Sequence, residues 1–247
     1  MKEIYNNTGK KCKLYQRIGL GAYYYDGQVS ATVDNEGNSV CMNEELFYRL
    51  KPLVELQDYI QSFEMWKGEK VDMDYDRTRD SKTIPLPCGT IHSWGETIFP
   101  ETSTDLSEPW LTVQNRSVAS SQYKDKVLIN RTQRYQNPYI TYFFLKEHQD
   151  KIVFSGTEGE YSDFCTRWDL QIEHLKTDNF YQLASILQWV KFGIFNQSLH
   201  FHIADAIKTK RILELCPQYP NSFITGANGS QFYHQTSLEY HFNRLIK

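Results

Sequence analysis

The feature that most constrains the fold is an alternation of short apolar runs with segments of helical periodicity, from about Lys126 to Glu214. Short apolar runs are typical of strands that are buried on both faces, as in a parallel sheet. The segments between them carry apolar residues at spacings of three and four, which is typical of amphipathic helices. Strands that alternate with helices are joined by right-handed crossovers and pair in parallel. The second half of the chain is therefore predicted to be an α/β domain with a parallel sheet.

The individual elements of this domain follow from the alternation. The predicted strands cover residues 127–129, 152–154, 171–175, 192–195 and 211–215. The predicted helices cover residues 138–145, 158–164, 180–190, 199–207 and 231–246. Pro138 suits the first turn of a helix, and Asp178 suits the N-cap of the helix that follows it.

The first half of the chain is less regular. Its predicted elements are a helix over 1–8, a strand over 11–16, a helix over 43–59 and a strand over 62–66. Residues 71–75 are a candidate third strand, whereas the prolines and glycines of residues 77–110 indicate mostly loop. A polar stretch at 108–124 suggests a boundary between two domains, residues 1–115 and residues 124–247.

Charge and cysteine content narrow the class of protein. The net charge is −3, so the broad basic surface that nucleic acid requires is not expected. The five cysteines are scattered with no CxxC pair, which favours free thiols in a reducing cytoplasm over disulfides or a zinc site. No apolar signal segment opens the chain, and no run approaches the ~18 residues of a membrane span. We therefore expect a cytoplasmic protein with no membrane span and no nucleic-acid partner.

Polar clusters follow the predicted strands at the ends where ligands bind in open parallel sheets. After the first strand come Asn130, Arg131 and Arg134, just before a predicted helix. Arginine side chains beside the free N–H groups of a helix start make a phosphate site, although a solvated surface loop has the same pattern. After the second strand, Gly156 opens a turn and Glu160 follows. That carboxylate either accepts ribose hydroxyls or favours the positive end of the next helix.

A third cluster consists of Asn196, Gln197 and Ser198, with His202 in the helix beyond. These side chains either contact a ligand or cap the helix, and capping alone is a sufficient explanation for Asn196 or Ser198. No GxGxxG or P-loop motif supports binding of a dinucleotide or a P-loop nucleotide. Three polar loops at successive strand ends together suggest one nucleotide-like ligand.

Residues 192–206, FGIFNQSLHFHIADA, resemble the C-terminal signature of the ADP-heptose:lipopolysaccharide heptosyltransferases and their relatives, where a strand leads into G-N-D-S-G-x-x-H-x-A-A-A. The matching residues are Asn196, Ser198, His202, Ala204 and Ala206. Upstream, residues 127–132 are similar to the donor-binding strand and loop of that family. Residues 152–160 are similar to its element with a glycine and a glutamate, here Gly156 and Glu160. The resemblance covers residues 126–216.

This resemblance implies a metal-independent glycosyltransferase of the GT-B class, which has an α/β fold with two Rossmann-like halves. Such a protein transfers a sugar from a nucleotide-sugar donor to an acceptor, which is unknown here. No cofactor is implied besides that co-substrate. Basic side chains and helix N-termini stabilise the leaving diphosphate. The residues implied to contact the donor are Asn130, Arg131, Arg134, Gly156, Glu160, Asn196, Gln197, Ser198 and His202.

The chain departs from the family pattern in two places. Gln197 stands where the family usually has Asp, and Leu199 where it has Gly, which opposes close approach of the backbone to phosphate. The family also begins with a strand and a G-x-x-G-D turn that supplies the expected general base, and this chain is predicted to begin after it. The remaining candidates for the base are Asp26, His92 and Glu96. Two alternatives therefore stay open: a non-catalytic nucleotide or nucleotide-sugar binding protein, and a structural or assembly protein.

Overall fold

The computed structural model of the chain describes residues 1–22, 31–80, 82, 89–114 and 118–247. Its first elements are α1 (Lys2–Thr8), β1 (Cys12–Gln16), α2 (Glu44–Glu55) and β2 (Ile60–Met65). β1 and β2 pair in parallel with Lys13 opposite Ser62, so α2 is the crossover of a βαβ unit. The predicted strand–helix–strand order is confirmed. Within the described part of the first half, this two-stranded sheet is smaller than the Rossmann-like half that the resemblance implies.

The crossover helix α2 is shorter than the predicted helix over residues 43–59. Asn43 is its N-cap, and the Asn43 side chain accepts the N–H of Leu46 at 2.9 Å. At the other end, Gln57 Nε2 donates to the carbonyl oxygens of Leu53 at 2.8 Å and Thr112 at 3.1 Å. This side chain satisfies a carbonyl of the last turn, and the helix ends there.

Residues 71–75 are not a strand, contrary to the prediction from the sequence. Asp74 caps a 3-10 helix, Tyr75–Arg79, by accepting the N–H of Asp76 at 3.0 Å. An Asp side chain that bonds the backbone two residues on favours a turn over an extended strand. Two further 3-10 helices, Ile91–Thr97 and Pro100–Thr102, lie in the segment predicted to be mostly loop.

The second half contains, among the described residues, a six-stranded parallel sheet and four α-helices. The strands are β3 (Val127–Asn130), β4 (Ile152–Phe154), β5 (Glu173–His174), β6 (Phe192–Phe195), β7 (Arg211–Glu214) and β8 (Gly229–Phe232). The helices are α3 (Glu158–Trp168), α4 (Phe180–Leu187), α5 (Leu199–Ala206) and α6 (Gln235–Ile246). The predicted α/β class with a parallel sheet is confirmed.

The strand order across this sheet is β5-β4-β3-β6-β7-β8. The chain therefore winds outward in one direction from β3 to β5, returns to the centre, and winds outward in the other direction from β6 to β8. This is the doubly wound Rossmann order. The direction of winding reverses between β3 and β6, and ligands of open α/β sheets bind at the carboxyl side of such a reversal.

The segment between β3 and β4 differs from its prediction. No α-helix begins at Pro138, because Asn137 Oδ1 accepts the N–H of Tyr139 at 3.0 Å and forms a turn there. A 3-10 helix, Phe143–Lys151, follows and leads directly into β4.

Two boundaries further along the chain also move. The N-cap of α4 is Asn179 rather than Asp178, and its side chain accepts the N–H of Gln182 at 2.9 Å. The predicted last helix gives up its first residues to β8, in which Gln231 pairs with Leu213 of β7. Pairing with a neighbouring strand outweighs local helical pattern in such a short segment.

Two apolar layers enclose the sheet, because neighbouring residues of a strand point to opposite faces. Leu128 packs in one layer with α4 and α5, represented by Phe201. Ile129 packs in the other with α3 and α6, represented by Phe242. Leu53 of α2, 1% exposed, belongs to the first layer, so the βαβ unit packs against the large sheet. The domain boundary near residues 108–124 stays a prediction.

None of the helices in the described ranges combines the length and the apolar character needed to cross a membrane.

Candidate ligand site at the carboxyl edge of the sheet

The reversal of strand winding brings the carboxyl ends of β3 and β6 side by side. Asn130 ends β3, and the N–H of Asn196, directly after β6, donates to the Asn130 carbonyl at 3.3 Å. The loop after β4 begins with Ser155, whose N–H donates to the Ile129 carbonyl at 2.8 Å. The predicted polar loops therefore meet at one edge of the sheet.

The N-terminus of α5 faces this edge. Ser198 is its N-cap, and the hydroxyl accepts the N–H of Phe201 at 3.3 Å. Free N–H groups of the first turn and the helix dipole favour an anion at this position. His200 lies in the same turn, with Nε2 at 3.1 Å from the hydroxyl of Ser155. Burial lowers the pKa of His200 to about 3, so this imidazole is neutral at physiological pH.

Asn130 carries an unmet hydrogen-bond acceptor at the centre of the edge. The side chain is 0% exposed, and Nδ2 donates to the carbonyl of Ser155 at 2.7 Å. Oδ1 has no hydrogen-bond partner among the described residues. Buried polar side-chain atoms in native proteins nearly always have a partner, and each exception calls for an explanation. A ligand that donates a hydrogen bond here would supply one.

Gly156 and Glu160 lie together beside Asn130. Glu160 forms a capping box with Thr157: its carboxylate accepts the Thr157 N–H at 2.9 Å, and its N–H donates to the Thr157 hydroxyl at 3.3 Å. Burial raises the pKa of Glu160, while Thr157 and the nearby charge of Arg134 oppose that shift. A Cβ added at Gly156 would meet Glu160 Oε2 at 2.8 Å and Asn130 Nδ2 at 3.2 Å. The small residue is therefore required by close packing.

His174 also lies at this edge, and the sequence-based site did not include it. It ends β5, its ring stacks on Tyr161 at a centroid distance of 4.4 Å, and Nε2 lies 3.0 Å from the Gly156 carbonyl. The sequence does carry a signal for it, because His174 is a polar residue near the end of the predicted strand 171–175.

Arg131 points into the protein, towards Glu214 of β7. It is 4% exposed, and its Nε and Nη2 donate to the two carboxylate oxygens of Glu214, each at 2.8 Å. Glu214 also accepts the Asn137 N–H and the Tyr142 hydroxyl, each at 2.6 Å. Burial alone lowers the pKa of Arg131, but the carboxylate of Glu214 outweighs it and the pKa is raised. The guanidinium is therefore engaged within the protein, which favours a structural role over the predicted contact with a phosphate.

The side chains of Asn196 and Gln197 are likewise bonded within the protein. Asn196 Oδ1 accepts the N–H of Thr132 at 3.0 Å, and Nδ2 donates to the carbonyl of Arg134 at 2.7 Å. Gln197 Oε1 accepts the N–H of Cys216 at 2.8 Å, and Nε2 donates to the carbonyl of Tyr219 at 2.8 Å. Arg131 and Asn196 therefore hold residues 131–137 across the ends of β6 and β7. Gln197 instead holds the segment that follows β7.

The candidate catalytic His92 pairs with His202. His92 Nε2 lies 2.7 Å from His202 Nδ1, while Thr90 Oγ1 lies 3.3 Å from His92 Nδ1 and Ser222 Oγ lies 3.3 Å from His202 Nε2. Burial lowers the pKa of His92 to about 4 and that of His202 well below its ordinary value. All four ring nitrogens therefore have partners within the protein.

Of the other two candidates for a base, only Glu96 belongs to the described residues. Glu96 accepts a hydrogen bond from the Ser103 hydroxyl at 3.1 Å, and Asp26 lies outside the described residues. No group of three or more His, Cys, Asp or Glu within the described part of the chain is arranged to hold a metal ion. A groove of about 260 Å³, lined by residues that include Tyr123, Lys176 and Tyr181, lies beside α4.

Comparison with known proteins gives structural likenesses only. No protein-family model and no curated protein matches the chain. Among solved structures, E. coli ADP-heptose LPS heptosyltransferase II is similar at 12% identity and a TM-score of 0.43, over 60% of this chain and 56% of that chain. The family 9 glycosyl transferase from Veillonella parvula is similar at 10% identity and a TM-score of 0.41, over 70% of this chain and 53% of that chain. This chain therefore spans about half the length of these two proteins.

Proposed function

We propose that this chain binds a nucleotide-sugar donor at the carboxyl edge of its large sheet and transfers the sugar to an acceptor. The observation that carries the proposal is the unmet acceptor Asn130 Oδ1, buried where the strand winding reverses. Open α/β sheets bind nucleotides at this point. The N-terminus of α5 and the buried carboxylate of Glu160 lie on either side of Asn130 and give the edge both an anion-binding and a hydroxyl-binding part.

The diphosphate of the donor would lie at the N-terminus of α5, with Arg134 as the nearby cation. Free N–H groups and a guanidinium stabilise the negative charge that develops on a leaving diphosphate, so this assignment needs no metal. We assign Asn130, Gly156, Glu160 and Ser198 to this donor site, as the sequence predicts. Arg131 and Asn196 support the donor site by holding the loop of residues 131–137 in place, and Gln197 supports it by holding the segment after β7.

A second candidate function is a protein that binds the donor without catalysis. Transfer needs a base for the acceptor hydroxyl, and the observation that favours this alternative is the His92–His202 pair, in which both rings are fully bonded and held neutral. Asp26 and Glu96 stay candidates for the base. A cytoplasmic location and the identity of the acceptor also stay predictions.

Calorimetric titration with a panel of nucleoside diphosphates and nucleotide sugars tests the proposal. Arg134→Ala should weaken binding about tenfold, the loss typical of one charge-assisted hydrogen bond. Lys146→Ala is the matched control, because Lys146 pairs with Asp169 in the turn after α3. Equal affinity of Arg134→Ala and wild type would remove Arg134 from the site, and no binding by any nucleotide would refute the proposal. Release of free nucleoside diphosphate from a bound nucleotide sugar then separates the transferase from the binder.

A further inference from the structure

The imidazole of His174 has one nitrogen in use and one without a partner. Nε2 lies 3.0 Å from the Gly156 carbonyl, which only accepts hydrogen bonds, so Nε2 carries the hydrogen. In the neutral ring, Nδ1 is then an acceptor. Nδ1 has no hydrogen-bond partner among the described residues, although the side chain is only 10% exposed. The flat stack on Tyr161, with an interplanar angle of 3°, fixes the direction in which this lone pair points.

The simplest alternative for Nδ1 is an ion pair of protonated His174 with Glu158, whose Oε2 lies at 3.5 Å. The carboxylate of Glu158 is 71% exposed and lies closer to Lys176, at 3.2 Å from Nζ. Glu158 therefore has a nearer cation in Lys176, and its contact with His174 Nδ1 is not a hydrogen bond.

The unmet groups around Gly156 share one chemical character. Asn130 Oδ1 and His174 Nδ1 are both buried acceptors without a donor, and the buried carboxylate of Glu160 adds a further acceptor. Acceptors repel phosphate oxygens and bind hydroxyl or amino hydrogens. This corner of the edge is therefore complementary to a group that carries several hydroxyls, in contrast to the anion-binding end at α5.

The strand order sets the distance between the two unmet acceptors. Asn130 ends β3 and His174 ends β5, on either side of β4, and neighbouring strands lie about 4.8 Å apart. Asn130 lies on the α5 face of the sheet, as Leu128 does, whereas His174 lies on the α3 face against Tyr161. A ligand that contacts both acceptors would therefore reach across the end of β4, over two strand spacings or roughly 10 Å.

We propose that His174 is a specificity residue whose Nδ1 accepts a hydrogen bond from a hydroxyl of a bound ribose or sugar ring. The assignment rests on the proposed donor site, whose hydroxyl-binding end it specifies. Ribose of the nucleotide and the transferred sugar present the same chemistry, so the experiment must distinguish them.

The experiment combines binding titrations with NMR of the His174 ring. Nucleoside diphosphates are compared with their 2′-deoxy and 3′-deoxy analogues, and free monosaccharides form the second arm. Wild type should prefer a hydroxylated ligand over its deoxy analogue by about fivefold to tenfold, the effect of one hydrogen bond. His174→Phe keeps an aromatic ring against Tyr161 and should bring this preference to about one. Its affinity for the deoxy ligand should not change.

Two matched variants separate recognition from folding and from the ion pair. His174→Asn places an acceptor oxygen near the position of Nδ1 and should keep much of the preference. Glu158→Gln removes the ion pair and should leave the preference unchanged. Equal weakening of hydroxylated and deoxy ligands by His174→Phe would assign His174 a structural role and overturn the inference.

The two arms keep failure of this inference distinct from failure of the proposed function. Tight nucleotide binding with no deoxy discrimination and no change in the His174 ring signals would leave the donor site and overturn the role of His174. If no nucleotide binds but a monosaccharide shifts the ring signals of His174, the role of His174 in hydroxyl recognition is supported and the nucleotide site is refuted. Ring signals unmoved by every ligand would overturn the inference.

Discussion

Removal of Arg131 tests whether the buried pair with Glu214 is a structural anchor. The two carboxylate oxygens of Glu214 accept four hydrogen bonds, two from Arg131 and one each from Asn137 and Tyr142. Both charged side chains are at most 3% exposed. Arg131→Met removes the positive charge and two of the four donors but retains most of the apolar volume. The carboxylate is then left buried without a cation.

The structure gives the magnitude of this loss. Breaking a buried ion pair by removing one partner typically costs about 3–5 kcal/mol, because the remaining charge has no compensation. For a chain of 247 residues, each kcal/mol lowers the melting temperature by about 2–4 °C, so Arg131→Met should lower it by roughly 6–20 °C. The pair Lys146–Asp169 is the control, with side chains 42% and 82% exposed. Lys146→Met should cost less than about 1 kcal/mol.

Urea unfolding, followed by circular dichroism, measures the free energy of unfolding for both variants. Arg131→Met should also loosen residues 131–137, which amide hydrogen exchange of that segment reports separately. If Arg131→Met loses no more stability than Lys146→Met, the pair is not a structural anchor. Arg131 would then return to the list of residues available to a ligand phosphate.

Two further predictions concern the core and the histidines. A Cβ at Gly193 would lie 2.2 Å from the buried ring of Phe195, so Gly193→Ala should lower the free energy of unfolding by about 1–3 kcal/mol. A Cβ at Gly159 in α3 has no atom within 4 Å, so Gly159→Ala should be neutral or stabilising by up to about 1 kcal/mol. Equal effects of the two substitutions in denaturant unfolding would contradict the packing at Gly193. Burial lowers the pKa of His92 to about 4 and that of His202 well below its ordinary value, so both bind fewer protons folded than unfolded. Their contribution to the free energy of unfolding is therefore complete above pH 6.5 and is lost as the pH falls towards 4. For His92 the loss is up to about 3 kcal/mol. His92→Gln should flatten the dependence of stability on pH, whereas the exposed control His234→Gln should leave it as in wild type.

The α/β class and the parallel sheet were predictable because they depend on periodicity. Strands such as Val127–Asn130 and Phe192–Phe195 are apolar along their whole length, and a run of that kind has one favourable environment, the inside of a covered sheet. β8 was not predictable in the same way. Its sequence, Gly229–Phe232, has little strand propensity, and it is a strand because the edge of β7 offers it a ladder of hydrogen bonds.

The location of the candidate site was predictable, but the roles of its residues were not. Polar loops at the ends of parallel strands must meet at one edge, which brings Asn130, Gly156 and Ser198 together. Arg131 has the residue type and the sequence position of a phosphate ligand. Its partner Glu214 lies 83 residues away along the chain, and no local pattern connects the two.

A polar residue at a strand end therefore has two possible uses, and residue type alone does not separate them. Asn130 and Asn196 illustrate the difference, since both are asparagines, 0% exposed, at the ends of adjacent strands. The oxygen and the nitrogen of the Asn196 side-chain amide are bonded to residues 132 and 134, so the fold accounts completely for this buried side chain. Asn130 keeps one acceptor unmet, and the fold alone does not account for a buried group of that kind. We therefore propose contact with a ligand for Asn130 and a structural role for Asn196, on the ground of unmet hydrogen-bonding capacity rather than of polarity or position.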